Sequence, residues 1–565
     1  MLKSPRDTET VLEQDPNVFP GTGLSLVVRW LADRVNWLAV VDDGLPWDRD
    51  RARIAPSVIL LMLVINVLTQ RNPLYQVEAW VQTLPLALLW GDTIQASQFN
   101  DDALGRVLED LADHGPALLA TLGTRMQAVE QAGGTFLHSD TSAFALFGDY
   151  PAASTGPTAP VLLTYGHSKD HRPDLKQIMM GITMDSDGQV LAGTMLDGNT
   201  SDKKWHPAWL EQLEKDVPAT FWQDHCYISD AAVVTDGALT QIAAMGMTWL
   251  GRLPANFTLA KTLKEEAWAE GADWEDLGPL SPKPKAAQYR AQTFDVTLYD
   301  QTARAWVYHS SALDKRKERT LQREIDREAK ALARELKTLA RMTFDCEADA
   351  ATMVAAVLRR VQPQWHAVTP VITAITTPVR RRGRPKKEAV PATMVRYRAA
   401  WTVTPPSDGA VQQERERRST FVLVSSQLTL NARTALQEYK HQDHNEHGFR
   451  WTKDPIHLDA FFVQKPARVA GVGYLLLLAL QFVRFMRAMV REALKDKPPL
   501  AFPHRTVKNP SDEVILDALR PLWIIREDDE TGVWYRWGAV PAPVRRILDA
   551  LGVPVTRKFV WDPSG

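Results

Sequence analysis

The sequence predicts an α/β fold, with a helical domain in front of a sheet-containing core and a strand-rich insertion inside that core. Three observations lead there. Between residues 134 and 230 short β-branched and aromatic runs recur, and two of them carry or end on an aspartate. The stretch before them has the 3.6-residue apolar period of helices. A polar segment near residue 440 spaces its functional side chains by helical intervals.

At 565 residues the chain is long enough for several domains. A 45% hydrophobic, 24% charged composition is that of a folded soluble protein. With 66 basic residues against 68 acidic ones, net charge lends no support to nucleic-acid binding, which has to rest on local patches. Two cysteines, Cys226 and Cys346, exclude a disulfide scaffold, form no CxxC pair and suit a reducing cytoplasm. The N-terminal residues have no signal-peptide core. Ile54–Gln70 is interrupted by Pro56 and Asn66, and Val469–Val483 is short and flanked by Arg468 and Arg484; both read as buried helices, not membrane spans.

Residues 1–20 are polar. From Gly23 to Val129 the pattern is helical, through Leu24-Ser-Leu-Val-Val, Val58-Ile-Leu-Leu and Asp101-Asp-Ala-Leu. Strand candidates follow at Gly134-Thr-Phe-Leu-His-Ser-Asp140-Thr-Ser-Ala-Phe, Pro160-Val-Leu-Leu-Thr-Tyr-Gly, Gln189-Val-Leu-Ala-Gly-Thr-Met-Leu and Cys226-Tyr-Ile-Ser-Asp230. A helix start comes after Asp230. An acid at a strand's carboxyl end, with a helix following, is where α/β sheets place their chemistry. A sheet that sets Asp140 beside Asp230 is the expectation.

The segment Tyr439-Lys-His-Gln442-Asp-His-Asn-Glu446-His-Gly-Phe-Arg450-Trp-Thr-Lys453 reads as one helix. Tyr439, Gln442, Glu446 and Lys453 are 3, 4 and 7 positions apart and fall on one face. A carboxylate between hydrogen-bonding and cationic groups suits a metal ion held against a phosphate chain, with Asp140 and Asp230 as further hard oxygen donors.

On these residues the chain resembles the DDE-type transposases of bacterial insertion sequences, the cut-and-paste kind with a Tyr-Arg-Glu-Lys signature. Asp140-Thr-Ser, Tyr165-Gly-His-Ser-Lys169-Asp-His171-Arg172-Pro-Asp-Leu-Lys176-Gln177, Gly198-Asn199-Thr-Ser-Asp202 and Ile228-Ser-Asp230-Ala-Ala carry the resemblance, over about residues 130–255 and 430–490. One position departs: Gln442 stands where the signature has arginine, giving a phosphate contact without charge or a bidentate fork. The resemblance implies a ribonuclease-H-like core with Asp140, Asp230 and Glu446 as catalytic metal ligands. It implies two Mg2+ ions, for which Mn2+ substitutes. It also implies double-stranded DNA as partner, at transposon ends and target, with no small-molecule substrate, and a homodimer in the DNA complex. Localisation would be bacterial cytoplasm, at the nucleoid when acting.

The 216 residues between Asp230 and Glu446 exceed what one strand-to-helix connection needs, so an insertion domain is expected there. The domains then run 1–130 (helical, possible end binding), 131–255 (first part of the core), 256–428 (insertion), 429–498 (second part of the core) and 499–565 (C-terminal unit, possible dimerisation). Within the insertion, Tyr289–Tyr299 and Ala303–His309 alternate like antiparallel strands, as do stretches from Arg396 and Ser419. Lys315–Arg341 is a charged helix with Leu321, Ile325, Leu332, Leu336 and Leu339 along one stripe. Arg380-Arg381-Arg382-Gly383-Arg384-Pro385-Lys386-Lys387 resembles an AT-hook, an extended Gly-Arg-Pro core that lies in a narrow A·T minor groove. An exposed basic loop with general phosphate affinity is the competing reading.

Other residues have bland readings beside the functional ones. Asp149, Asp174 and Asp202 are read as turn or capping residues, with Asp202 capping a helix that begins near Trp205. His441, His444 and His447 invite a zinc site, but there is no His-Glu-x-x-His, and zinc is not adopted. Lys169, His171, Arg172 and Lys176 form a basic loop cluster, solvated or in contact with phosphate. Tyr439, Gln442, Arg450 and Lys453 are the DNA-facing residues of the signature segment, and Trp451 is read as core. Two other functions stay open: a metal-dependent nuclease on the same fold, and a non-catalytic DNA-binding protein of transposon origin.

Overall fold

From strand β1 (Val18–Phe19) the chain enters six helices, as the apolar period predicts: α1 (Gly23–Arg34), α2 (Trp37–Gly44), α3 (Pro56–Leu68), α4 (Leu74–Val81), α5 (Leu86–Trp90) and α6 (Asp101–Glu130). Pro56 starts α3, where its missing N–H costs nothing, and all 13 residues of α3 are buried. The computed structural model describes residues 15–50, 52–130, 135–148, 150, 159–167, 172–269, 271–312, 315–379, 393–454, 463–530 and 532–556, the side chains of 130, 202 and 203 excepted.

The sheet follows. Its core strands are β2 (Phe136–Leu146), β3 (Lys176–Asp185), β4 (Val190–Leu196), β5 (Cys226–Ser229) and β6 (Thr248–Arg252), in the spatial order β4-β3-β2-β5-β6. The pairs β4–β3 and β3–β2 are antiparallel, while β2–β5 and β5–β6 are parallel. This mixed pairing makes β2 the point where the sheet changes direction. β3 is buried at nine of its ten positions, so both faces need covers.

One cover is α7 (Asp202–Asp216). Gly181 of β3 permits it, because a Cβ there would stand 2.6 Å from the Trp205 ring. Trp209 Nε1 donates to Thr183 Oγ1 at 2.8 Å. The opposite face takes α15 (Asp443–Thr452) and α16 (Pro466–Leu494). There Gly448 packs on Met184 and Gly193 on Leu477. α16 and α6 lie so close that a Cβ on Gly471 would be 2.0 Å from the Leu108 carbonyl oxygen. By length and composition α16 could cross a membrane; its apolar stretch is entirely buried in this protein.

Between these elements come α8 (Ala219–Trp222), α9 (Asp236–Ala244) and α14 (Ala432–Lys440). Thr235 and Asn431 cap α9 and α14 with their side-chain oxygens. The C-terminal residues form a short hairpin (Leu500–Phe502, Arg505–Val507), α17 (Asp512–Leu519), a second hairpin (Ile524–Asp529, Gly532–Trp537) and α18 (Ala542–Ala550). They share one apolar core with the N-terminal helices and α16, and β1 pairs with Ile524–Ile525. The described residues of the expected C-terminal unit at 499–565 therefore share the core of the larger body. That compact unit is Met1–Pro254, Asp295–Arg304 and Val424–Gly565.

The second unit comprises Ala255–Phe294 and Ala305–Leu423. It holds α10 (Thr258–Ala267), α11 (Lys315–Leu339), α12 (Glu347–Val361), α13 (Asp408–Arg418) and a twelve-pair antiparallel ribbon, Ala367–Pro378 with Thr393–Thr404. Leu321, Ile325, Leu332 and Leu339 are the buried stripe of α11, as its spacing predicts. Glu328 on α11 receives the backbone N–H groups of Gln364, Trp365 and His366, which fixes the entry to the ribbon. The segment 380–392, with the AT-hook-like residues Arg380, Arg381, Arg382, Arg384, Lys386 and Lys387, lies outside the described residues.

Two strand expectations change. Pro160–Gly166 is not a strand: only Thr164 makes a bridge, to Gln177. The strand is instead Lys176–Asp185, whose apolar run follows directly on the basic cluster. α7 begins at Asp202, with Ser201 in the cap position, not near Trp205.

Candidate active site

Asp140 lies at the middle of β2, opposite Ile182 of β3. The β2–β5 register pairs Phe136 with Cys226, Leu137 with Tyr227 and His138 with Ile228. Continued two residues, it sets Asp140 level with Asp230, just past the end of β5. Adjacent strands are about 4.8 Å apart, so the two aspartates are neighbours through sheet geometry alone. Asp140 Oδ1 accepts the Thr141 N–H at 2.7 Å, and Asp230 Oδ1 accepts the Ala232 N–H at 2.8 Å.

A polar layer on the other face locks these strands together. Ser139 and Thr183 hydroxyls meet at 2.7 Å, Ser229 Oγ is 2.9 Å from His206 Nε2, and His206 Nδ1 is 3.2 Å from the Tyr227 hydroxyl. All five residues are buried, so each bond is made away from competing water.

The signature segment is two helices, not one. α14 ends at Lys440, and His441 N–H reaches back to Gln437 and Glu438. His444 N–H then bonds His441 O, and Asn445 N–H bonds Gln442 O, i to i+3 links that tighten the chain into a turn before α15. Tyr439 and Glu446 therefore sit on separate helices, and a single-face count across the segment fails.

What the fold brings together is a cleft of about 550 Å³ lined by Asp140, Thr141, Ser142, Glu446, Phe449, Arg450, Lys453 and Asp454. Glu446 is exposed in the first turn of α15, where the helix dipole favours a carboxylate. Lys453 Nζ lies 5.5 Å over the Phe144 ring, a contact that aims the ammonium along β2. Arg450 is exposed. Tyr439 stands near Asp230 and Asp140: burial raises its phenol above the ordinary value, the Arg252 charge and hydrogen bond oppose this, and the two aspartates add to the rise.

Other expected site residues sit elsewhere. Gln442 does not line the cleft; its Nε2 is buried with no hydrogen-bond partner among the described residues. Arg172 is engaged by Asp174 at 2.7 Å and lies over the Phe147 ring; Asp174 sits in the turn that the Leu175 N–H to Arg172 carbonyl bond closes, as its turn reading expects, and is an ion-pair partner as well. Lys176 is the first residue of β3 and donates to the Tyr150 carbonyl, which removes it from the expected basic loop. Lys169, His171 and Asp149 lie outside the described residues. Trp451 is buried, as read from the sequence.

Arg252 was not singled out from the sequence, although it ends a strand-like run as Asp230 does. Glu438 was also missed. Its Oε2 accepts from Ser186 Oγ at 3.1 Å, is 3.3 Å from His441 Nδ1 and 3.9 Å from His138 Nε2. Burial pushes His138 down to about 3 and His444 to about 4, so both are neutral near pH 7, while the Glu438 hydrogen bond raises His441.

Among the described residues no three His, Cys, Asp or Glu side chains are gathered closely enough to hold a metal ion. For a hard divalent cation the donors at Asp140, Asp230 and Glu446 fit in kind, being carboxylates at or beside one cleft. Asp230 Oδ1 accepts the Ala232 N–H, and Glu446 is exposed where it lines the cleft with Asp140.

Comparison with known proteins adds little. A family model described as a domain of unknown function (DUF4277) matches residues 24–122, the helical N-terminal part. No curated protein matches the chain in sequence. A solved structure of piggyBac transposase, a synaptic complex with hairpin DNA, aligns at a TM-score of 0.25 with 11% identity, over 46% of this chain and 57% of that one. A superposition at that score fixes no residue correspondence.

Proposed function

We propose that the chain is a DNA transposase of the DDE kind. It binds the terminal inverted repeats of its own insertion sequence, cuts at the ends and joins them to target DNA by phosphoryl transfer. The observation that carries this is a convergence: the parallel β2–β5 register, continued two residues, brings Asp140 of β2 level with Asp230 just past the end of β5, and Glu446, 216 residues beyond Asp230, lines the same cleft as Asp140. The strand order, three antiparallel strands continued by two parallel ones from β2, supports a ribonuclease-H-like core. The second compact unit, between Asp230 and Glu446, supports an insertion domain.

In this reading Asp140, Asp230 and Glu446 would hold Mg2+, which when bound polarises a phosphate oxygen and lowers the pKa of attacking water. Lys453 and Arg450 neutralise the DNA phosphates at the cleft mouth, and Tyr439, held by Arg252, supplies a hydroxyl donor beside them. The segment Arg380–Lys387 adds minor-groove affinity, and two copies act on the two ends of the element in the bacterial cytoplasm.

The test uses purified protein with a plasmid carrying the coding region and its native flanks. Nicking at the flanks that requires Mg2+ or Mn2+, and joining of pre-cleaved ends to a second plasmid, are expected. Cleavage without joining would leave a nuclease; DNA binding with neither would leave a non-catalytic binder.

A further inference from the structure

A second cleft in the larger unit, about 670 Å³, is walled by the last turns of α16. Arg487, Arg491 and Lys495 line it at i, i+4 and i+8, one stripe of the helix, and Lys508 faces them from beyond the Arg505–Val507 strand. Asp187 and Glu492 are the acids of the lining, so four cations meet two carboxylates. Behind the wall, Arg484 and Arg487 share the carboxylate of Asp512, at 3.1 and 3.4 Å. Both guanidiniums are buried, and one carboxylate serves the two.

Like charges one helical turn apart repel, and partly buried cations pay for lost hydration. Arg491 registers this: burial, then the nearby Arg487, lowers its affinity for a proton, although the Pro510 carbonyl accepts its Nε–H at 2.9 Å. An anion in the cleft would relieve the repulsion. The stripe from residue 487 to 495 covers about 12 Å of helix axis, longer than one phosphate group and matched to a chain of them.

We propose that this cleft is a binding site for the phosphodiester backbone of duplex DNA, separate from the Asp140 cleft. The inference rests on the transposase reading and adds a second place where the duplex is held. The geometry ties the two places together. Arg487 donates to the Asp187 carbonyl at 2.5 Å in the turn between β3 and β4, and in that turn a Cβ on Gly188 would be 2.7 Å from His444 Nδ1. His444 is two residues before Glu446 on α15, so backbone phosphates held here bear on the helix that presents Glu446.

The experiment replaces Arg491, Lys495 and Lys508 together by glutamine in the full chain, leaving Arg487 to hold Asp512. A fluorescein-labelled mixed-sequence duplex is titrated by anisotropy across a salt series. Three lost phosphate contacts should reduce the slope of log affinity against log salt by about 2–3, with at least tenfold weaker binding at low salt. Should the triple variant fold poorly, K495E with K508E at the exposed rim should give a loss in the same direction. An unchanged slope in a folded variant overturns the site. A wild-type protein that binds no duplex overturns both this site and the transposase reading. A lost slope beside absent plasmid nicking leaves the site standing and removes only the catalytic reading.

Discussion

Replacing Glu446 by glutamine separates chemistry from architecture. The side chain is exposed, in the first turn of α15, and fills no core position. Its structural contribution is that of a carboxylate near a helix N-terminus, at most about 1 kcal/mol. In a chain of this size that moves Tm by no more than about 2 °C. The catalytic contribution, if Glu446 holds a cation that polarises a phosphate, is several kcal/mol, which is a loss of at least a hundredfold in rate. Binding to duplex DNA should stay within about twofold, or tighten slightly as a negative charge leaves a phosphate-facing cleft. The assay is conversion of supercoiled plasmid to nicked circle in Mg2+, with thermal melting and anisotropy on the same preparation. Nicking at the wild-type rate would refute the role of Glu446. A large fall in Tm would show that α15 depends on this carboxylate in a way its exposure does not explain.

Three further outcomes follow from the same geometry. Gly471→Ala should destabilise by about 2 kcal/mol in denaturant melts, because a Cβ 2.0 Å from the Leu108 carbonyl oxygen puts the clash at the upper end of the overpacking range of about 1–3 kcal/mol, of which helix propensity offsets about 1 kcal/mol; an unchanged midpoint would mean that α6 and α16 move apart at no cost. Glu438→Gln should alter the pH dependence of stability: His441 is raised above its ordinary 6.5 by Glu438, so its pairing stabilises below about pH 6.5 and fades as pH rises through the raised value. The wild-type advantage in Tm should therefore be larger at pH 6 than at pH 8.5, and a constant difference would contradict the pairing. Thiol titration at pH 8 should label Cys346 alone in the native chain and both cysteines after unfolding, since Cys226 is buried with its thiol pushed up to about 12; two rapid equivalents in the native state would contradict that burial.

Much of the larger unit, and one helix of the second, was legible because it rests on local periodicity. The helices between Gly23 and Glu130, the strands carrying Asp140 and leading to Asp230, and the buried stripe of α11 all follow from spacing and residue type. Lys176–Asp185 escaped notice for a physical reason: a strand buried on both faces shows no alternation, and its start is masked by the polar cluster around Arg172. The break after Lys440 was equally hidden, because His441 and Gln442 are compatible with a helix and only the i to i+3 bonding reveals the turn.

Residue order alone determined that Asp140 sits in a strand, that Asp230 follows one, and that Glu446 lies in a helical segment, since each depends on neighbours a few positions away. Tertiary structure decided the rest. The parallel register of β2 and β5 makes Asp140 and Asp230 neighbours, and packing of α15 on β3 brings Glu446 to the same cleft, whereas Gln442 is turned away. The cationic stripe of α16 acquires its meaning only when Lys508, Asp187 and Asp512 fold around it. Such contacts join residues hundreds of positions apart, and no local pattern encodes which distant faces will bury each other.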